Sequence, residues 1–335
     1  MSFSIIGVGS AVGSLIKTND DLARILDTDD EWIYSKTGIR KRHLLGEETL
    51  TDLAADAAEK ALADSGVLPE ELSLIICATV TADYITPSMA SVIQRRIGAA
   101  CPAFDISAAC AGFLYGMDIA EGYFLRDPDS KILLIGAEAV SKMANWQDRS
   151  TAVLFGDGAG AVILGKGDGL KAVHLTTKGD EAPLYARAQK GNCPYREERV
   201  PSENFTQNLA GFAGDTYLHM AGQKVFQFAV SAMCRELEEV IRRADIRWEE
   251  IDYVLPHQAN QRIIDYAVSR LPIPREKYLG NISEYGNTSA ASIPIMLDAF
   301  SREGILKKGD LLAFVSFGAG MVSAAALMKW QGSGK

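Results

Sequence analysis

Long apolar runs are missing from this chain of 335 residues. No segment approaches the roughly 18 uninterrupted apolar residues that a membrane span requires. The N-terminus also lacks a basic stretch followed by an apolar one, so no leader is read there and the cytoplasm is the expected location. Histidine is scarce, with only His43, His174, His219 and His257. The five cysteines (Cys77, Cys101, Cys110, Cys193, Cys234) are odd in number and show neither CxxC spacing nor a pairing pattern. That argues against a zinc cluster or a disulfide scaffold and favours reduced thiols. Positive charge is in deficit. A net charge of −9 argues against nucleic acid as a main partner, while leaving room for a local basic patch that meets an acidic one.

What is present is a globular composition, 47% hydrophobic and 23% charged, in a chain long enough for two domains or one large duplicated one. Residues 4–8 read as a short strand entering Gly7-Val8-Gly9-Ser10-Ala11-Val12-Gly13. The glycines suggest a dinucleotide-binding turn, but the spacing is GxGxxxG and residues 15–19 do not open a helix. A nucleotide-dependent oxidoreductase built on this run is therefore a remote reading. Residues 18–21 read as the cap of a helix over 22–26. The segment from Asp29 to Arg42 runs from acidic to basic around Trp32, either a solvated face or a place where an aromatic ring stacks on a base while cations meet phosphates. Helices follow over 51–65 and 88–97, with apolar strands over 72–79, 102–106 and 131–137. Residues 153–164 carry Phe155-Gly156-Asp157-Gly158-Ala159-Gly160. Apolar strands alternating with helices imply a mostly parallel sheet covered on both faces.

The second half repeats the first, with helices over 225–244 and 261–271 and strands over 251–256, 277–282 and 310–317. Matching Cys77 with Leu255, Gly136 with Val315, and Cys110 with Asn287 or Thr288 gives a nearly constant offset of about 178 residues. This predicts a duplicated α/β fold with halves at residues 1–170 and 171–335. Its pseudo-twofold symmetry would set the loop of Cys110 against those of His257 and Asn287. Residues 178–214 have no counterpart and read as a surface excursion.

The chemistry centres on Phe104-Asp105-Ile106-Ser107-Ala108-Ala109-Cys110, where an apolar strand turns into a cysteine and a helix runs on through residue 125. A free cysteine is ordinarily an inert core residue. At a helix N-terminus, however, unpaired N–H groups and the macrodipole favour a thiolate. His257 stands in Leu255-Pro256-His257-Gln258-Ala259-Asn260, where a strand ends and a helix begins, and strand carboxyl ends are where open α/β sheets bind ligands. A thiolate, an imidazole and an amide in one pocket suit attack on a thioester carbonyl, followed by stabilisation of the developing oxyanion.

Three stretches, Ala109-Cys110-Ala111-Gly112-Phe113, His257-Gln258-Ala259-Asn260 and Gly286-Asn287-Thr288-Ser289-Ala290-Ala291-Ser292, closely resemble the β-ketoacyl-acyl-carrier-protein synthase III family, the initiating condensing enzymes of type II fatty acid synthesis. Asp30-Glu31-Trp32-Ile33, Thr37-Gly38-Ile39-Arg40 and the glycine-rich stretch from Phe155 extend the likeness over nearly the whole chain. The resemblance implies a thiolase-like duplicated αβαβα five-layer sandwich with mixed sheets, used as a homodimer. It implies that Cys110 takes an acyl group from acyl-CoA. His257 and Asn287 then hold the thioester carbonyl of malonyl-acyl carrier protein while CO2 leaves, and condensation gives a 3-oxoacyl carrier protein. The backbone N–H groups of Cys110 and Ala319 would form the oxyanion hole.

The same resemblance places Trp32 and Arg149 on either side of the CoA adenine and Lys36 at a CoA phosphate. It lines the pantetheine tunnel with Thr37, Phe155, Met220, Ala221, Gly222, Ala259 and Asn260. Thr86 and Phe317 would shape the acyl pocket, while Arg262 and Arg270 would face the acidic carrier protein. No metal and no cofactor are implied, since acyl-CoA and malonyl-acyl carrier protein are substrates. Three residues depart from the family pattern. Lys36 replaces a frequent Arg and loses its bidentate fork. Gln227 stands at an often basic position. Thr86 stands where some members have a Phe that crosses the dimer interface, and a small residue there implies room for longer or bulkier primers. Two other readings stay open: a relative in secondary metabolism with the same triad and another acceptor, and a non-catalytic acyl-binding protein.

Overall fold

Two sheets carry the chain, and helices cover both faces of each. A computed structural model describes residues 2–188 and 216–332. The first sheet contains β1 (Ser2–Val12), β2 (Leu74–Ala78), β3 (Ala103–Ile106), β4 (Ile132–Ala139) and β5 (Asp157–Gly167), in the order β1-β5-β4-β2-β3. The second contains β6 (Leu170–Asp180), β7 (Tyr253–Pro256), β8 (Leu311–Gly318) and β9 (Gly320–Lys329), in the order β6-β9-β8-β7. Every residue of β2 and β4 is buried, as their unbroken apolar runs require.

The sheets are mixed rather than mostly parallel. β2 runs parallel to β3 and β4, and β7 parallel to β8, while the other neighbours are antiparallel. Connection length is the reason. β9 follows β8 after Ala319 alone, far short of the dozen or more residues that a parallel crossover needs.

The helices form three layers around these sheets. α1 (Leu50–Ser65) and α2 (Met89–Ile97) cover the outer face of the first sheet, through Leu53, Ala57, Ala61 and Ile93 against Ile75, Ile135 and Ile163. α3 (Gly112–Arg126) and α6 (Ser292–Arg302) fill the space between the sheets, with Phe113, Met117, Ile293 and Leu297 against Ile76, Leu134 and Phe314. α4 (Gly222–Ala244) and α5 (Gln261–Val268) cover the far face, with Met233, Leu237 and Ile264 against Val254, Val315 and Leu327. Each large apolar side chain so buried contributes about 1.5–3 kcal/mol. The result is the expected αβαβα sandwich. Local sequence fixes where the helices start and stop: α1 opens on a reciprocal Thr49–Asp52 capping box and ends at Gly66, whose φ of 70° a side chain would disfavour.

Three features differ from the sequence reading. The strand read over 4–8 runs on to Val12 and takes in most of the glycine run, where a Cβ on Gly9 would stand 2.4 Å from the Ala57 carbonyl oxygen, so the glycines let α1 press against the strand, in line with the rejected dinucleotide turn. The strand expected over 277–282 reduces to a single parallel bridge between Val254 and Tyr278. The buried Gln258 side chain accepts the N–H groups of Asn281 and Ile282, removing donors that a longer ladder would use. The duplication also aligns differently at the site. Short turns at Ala109–Ala111 and Ser289–Ala291 lead into α3 and α6, and each opens on a residue at positive φ, Ala109 at 45° and Ser289 at 51°. The counterpart of Cys110 is thus Ala290 rather than Asn287 or Thr288, because Asn287 is held upstream of the turn by a bridge to Phe155. Of the excursion at 178–214, residues from 189 onward lie outside the described residues, as does Cys193. Its first part finishes β6 and supplies Leu184–Ala186, paired with Leu218–Met220.

Candidate active site

Cys110 lies in the turn that feeds α3 and borders a cavity among the described residues. The end of β8 presses on it from the other half. A Cβ on Gly318 would stand 2.8 Å from the Cys110 amide nitrogen, and the Ser316 hydroxyl donates to the Cys110 carbonyl at 2.7 Å. Only a glycine permits that approach, which sets the backbone of Ala319 beside Cys110.

The helix position does not yield a resting thiolate. Burial pushes the thiol from its ordinary 9 up to about 12, with a hydrogen bond from Ser289 opposing the rise and the charge of Glu138 adding to it. Such a rise is worth roughly 4 kcal/mol, whereas a helix terminus contributes about 2 kcal/mol at most. Desolvation wins, and Cys110 rests as a thiol.

His257 follows β7 directly, its N–H donating to the Val315 carbonyl at 2.8 Å. It is buried, and burial holds its pKa at about 3, so the ring is neutral at physiological pH. Nδ1 lies 2.8 Å from the Ser292 hydroxyl, which leaves Nε2 for chemistry, and the Phe317 ring meets the imidazole edge-on at 5.4 Å.

Asn287 is fixed through its backbone, which donates to the Leu154 carbonyl at 2.9 Å and accepts from the Gly156 N–H at 3.1 Å. Its Oδ1 accepts the Ser289 N–H at 2.9 Å. A backbone donor can face only the oxygen, so this bond fixes the amide orientation and leaves Nδ2 free to donate.

Cys110, His257, Asn287, Phe317 and Ala319 all border one cavity of about 550 Å3. Trp32, Lys36, Thr37, Phe155, Met220, Gly222, Ala259, Asn260 and Arg262 border it as well. The polar side chains of Thr37 and Asn260 are already occupied. Thr37 donates to the Ile33 carbonyl and accepts from the Ile39 N–H, while Asn260 donates to the Lys36 carbonyl and caps α5. Arg149 stacks on Trp32, 4.8 Å from the ring centroid, and donates to the Asp27 carbonyl, so a base enters between them only if Arg149 moves aside. Ala221, Thr86 and Arg270 do not border this cavity. Ala221 donates to the Pro183 carbonyl, Thr86 lies on an exposed loop, and Arg270 is engaged with the Tyr266 ring and hydroxyl.

The sequence reading passed over Glu138 and Ser289. The Ser289 hydroxyl lies 3.2 Å from Cys110 Sγ and 3.3 Å from Glu138 Oε1. Burial raises the Glu138 carboxyl to about 7 against the hydrogen bonds it accepts. One carboxylate in the otherwise apolar strand β4 was the available signal.

Comparisons with known proteins agree with this fold. Models described as 3-oxoacyl-[acyl-carrier-protein (ACP)] synthase III match residues 104–179, and its C-terminal part matches residues 241–330. The β-ketoacyl-[acyl-carrier-protein] synthase III of Clostridium tetani is 43% identical over 332 residues, covering 97% of this chain and 98% of that protein. That of Natranaerobius thermophilus is 43% identical over 336 residues, covering 97% and 98%. The crystal structure of a 3-oxoacyl-[acyl-carrier-protein] synthase III from Aquifex aeolicus superposes with a TM-score of 0.88 at 40% identity, covering 98% of this chain and all of that one. With the fold, the cavity and full-length relatives in agreement, the chain belongs to the β-ketoacyl-[acyl-carrier-protein] synthase III family and is an acyl-transferring condensing enzyme.

Proposed function

We propose that this enzyme takes an acyl group from acyl-CoA onto Cys110 and condenses it with malonyl-acyl carrier protein, initiating fatty acid synthesis. In the first half-reaction the Cys110 sulfur attacks the acyl-CoA carbonyl, and the backbone N–H groups of Cys110 and Ala319 stabilise the tetrahedral oxyanion while CoA departs. In the second, the thioester carbonyl of malonyl-acyl carrier protein accepts hydrogen bonds from His257 Nε2 and Asn287 Nδ2. Loss of CO2 places its bonding electrons in an enolate stabilised by those two donors. The enolate carbon attacks the acyl carbonyl on Cys110, and the Cys110 thiolate leaves and takes one proton from solvent, restoring the thiol. None of these steps calls on a metal or an organic cofactor.

The observation that carries this reading is the pair of neutral donors. The Ser289 N–H turns the Asn287 amide so that its NH2 is available, and burial keeps His257 uncharged. Donation from Nε2 requires Nδ1 to accept from the Ser292 hydroxyl, which their 2.8 Å separation supports.

Lys36 and Arg262 border the cavity, and neither is in an ion pair among the described residues. In this reading Lys36 meets a CoA phosphate, and Arg262 first and Arg270 second face the acidic carrier protein. Trp32 and Arg149 would hold the adenine. The enzyme would work in the cytoplasm as a homodimer. The loop before Thr86 supports the dimer, since Ile85 is 100% exposed and Tyr84 56% exposed in the single chain. The test is acyl-CoA-dependent CO2 release from malonyl-acyl carrier protein with formation of the 3-oxoacyl product. Acyl transfer without CO2 release would instead indicate a relative with another acceptor.

A further inference from the structure

Acylation leaves one proton unassigned: Cys110 rests as a thiol, yet its sulfur must attack as a thiolate. His257 has Nδ1 committed to Ser292, and in the reading above it acts as a donor. The groups in contact with the sulfur lie elsewhere. Ser289 Oγ stands 3.2 Å from Sγ and, on its other side, 3.3 Å from Glu138 Oε1. Glu138 is fully buried on β4. Its Oε2 accepts the Thr81 hydroxyl at 2.5 Å, and the Val80 N–H lies 3.2–3.3 Å from the two oxygens. No cation pairs with it among the described residues. A buried carboxylate without a countercharge is costly to retain, and this one adjoins the nucleophile through a single hydroxyl.

We propose that Ser289 and Glu138 form a proton relay that activates Cys110 for acylation. The Cys110 S–H proton passes to Ser289 Oγ while the Ser289 proton passes to Glu138 Oε1. The bond from Sγ to the acyl carbon forms, the bond from that carbon to the CoA sulfur breaks, and the proton held on Glu138 passes back through Ser289 to the departing CoA thiolate. The half-reaction is then proton-neutral: thiol and acyl-CoA give acyl-enzyme and CoA thiol.

Ser289 touches the reacting sulfur, and Glu138 acts through Ser289. The raised carboxyl of Glu138 suits a group that gains and loses a proton near neutrality. The titratable and charged groups around it are Cys110, Cys77 on β2, and Lys142, whose ammonium donates to the Thr81 carbonyl and pairs with Asp83. The fixed positive φ of Ser289 places its hydroxyl between the two partners.

The relay rests on Cys110 being the nucleophile, and the test separates the two ideas. Acyl-enzyme formation is followed by quenched-flow intact mass from pH 6 to 10 for wild type, Glu138→Gln, Glu138→Asp, Ser289→Gly and Cys110→Ala. Discharge of pre-formed acyl-enzyme by malonyl-acyl carrier protein is followed in parallel. Glycine tolerates positive φ and keeps the N–H that orients Asn287, so Ser289→Gly removes the hydroxyl alone. The relay requires Glu138→Gln and Ser289→Gly to acylate about 10²-fold more slowly near pH 7, to recover toward pH 10, and to discharge within about threefold of wild type, with Glu138→Asp intermediate. Acylation by Glu138→Gln at or above the wild-type rate would overturn the relay, because it would leave Glu138 only as a repelling charge. Equal losses in acylation and discharge would also overturn it, by showing a structural role. An adduct on Cys110→Ala would instead remove the nucleophile assignment on which the relay rests.

Discussion

In the proposed reaction Asn287 would act through the way its amide is turned, and that orientation is set by one backbone N–H two residues along the chain. An aspartate at this position keeps an oxygen for Ser289 but loses the NH2 donor. Asn287→Asp is therefore expected to fold and to acylate normally while its condensation rate falls about 10²- to 10³-fold, measured as 3-oxoacyl product formed from pre-acylated enzyme. His257 gives a pH signature. Burial holds its folded pKa at about 3, below the 6.5 of an exposed histidine, so on acidification the unfolded chain takes up the proton first. The stability this group supports is present in full above pH 6.5 and is lost as pH falls toward 3, by roughly 1.4 kcal/mol per pH unit. Thermal denaturation between pH 7 and 4.5 should show wild type losing stability more steeply than His257→Gln by about that slope. Glu138 has the opposite sign. Its raised pKa gives stability in full below 4.5 that is lost as pH rises through about 7, so the comparison of the two proteins isolates His257. At this scale the sequence shows Cys110 and His257 as residue types that follow strands, whereas the strand expected before Asn287 is a single bridge at Tyr278. The sequence does not show Ser289 bridging to Glu138 across 151 positions, because that contact depends on how the two halves close on each other.

The elements that bring these residues together approach closely at glycines, Gly136 and Gly318 among them. Gly136 in the middle of β4 lets the Ser289–Ala291 turn lie on the strand, and a Cβ there would stand 2.3 Å from the Ala290 carbonyl oxygen. Gly136→Ala is expected to cost about 2–3 kcal/mol, read as a lower denaturant midpoint, and to slow condensation by displacing Ser289 and Asn287. The long elements were legible because their signals are local. The buried strands β2 and β4 read as unbroken apolar runs, and α1 carries its capping box within four residues. The illegible ones depend on distant partners. Residues 277–282 look like a strand until Gln258 takes two of their N–H groups, and the strand read over 4–8 gives no local sign that it continues to Val12 with α1 pressed on its glycines.

At the scale of the whole molecule, the meeting of the two sheets brings Cys110, which follows the first, to one cavity with His257 and Asn287, and in the proposed reaction these are the nucleophile and its partners. The exposed Tyr84-Ile85 pair beside Thr86 belongs to the same scale. Analytical ultracentrifugation should give twice the 36.2 kDa chain mass, with Ile85→Lys shifting the protein toward single chains. Thr86 lies outside its own chain's cavity, so its effect on primer choice would act through the partner's channel. Turnover of octanoyl-CoA and isobutyryl-CoA at rates comparable with acetyl-CoA is expected, and a steep preference for acetyl-CoA would count against a wide channel.

The most direct test of the central claim is the intact mass of wild type, Cys110→Ala and His257→Ala after incubation with acyl-CoA, and again after malonyl-acyl carrier protein is added. Wild type should gain one acyl group and then lose it to the 3-oxoacyl product, Cys110→Ala should stay unmodified, and His257→Ala should gain the acyl group and keep it. An acylated Cys110→Ala, or a His257→Ala that discharges like wild type, would contradict the account.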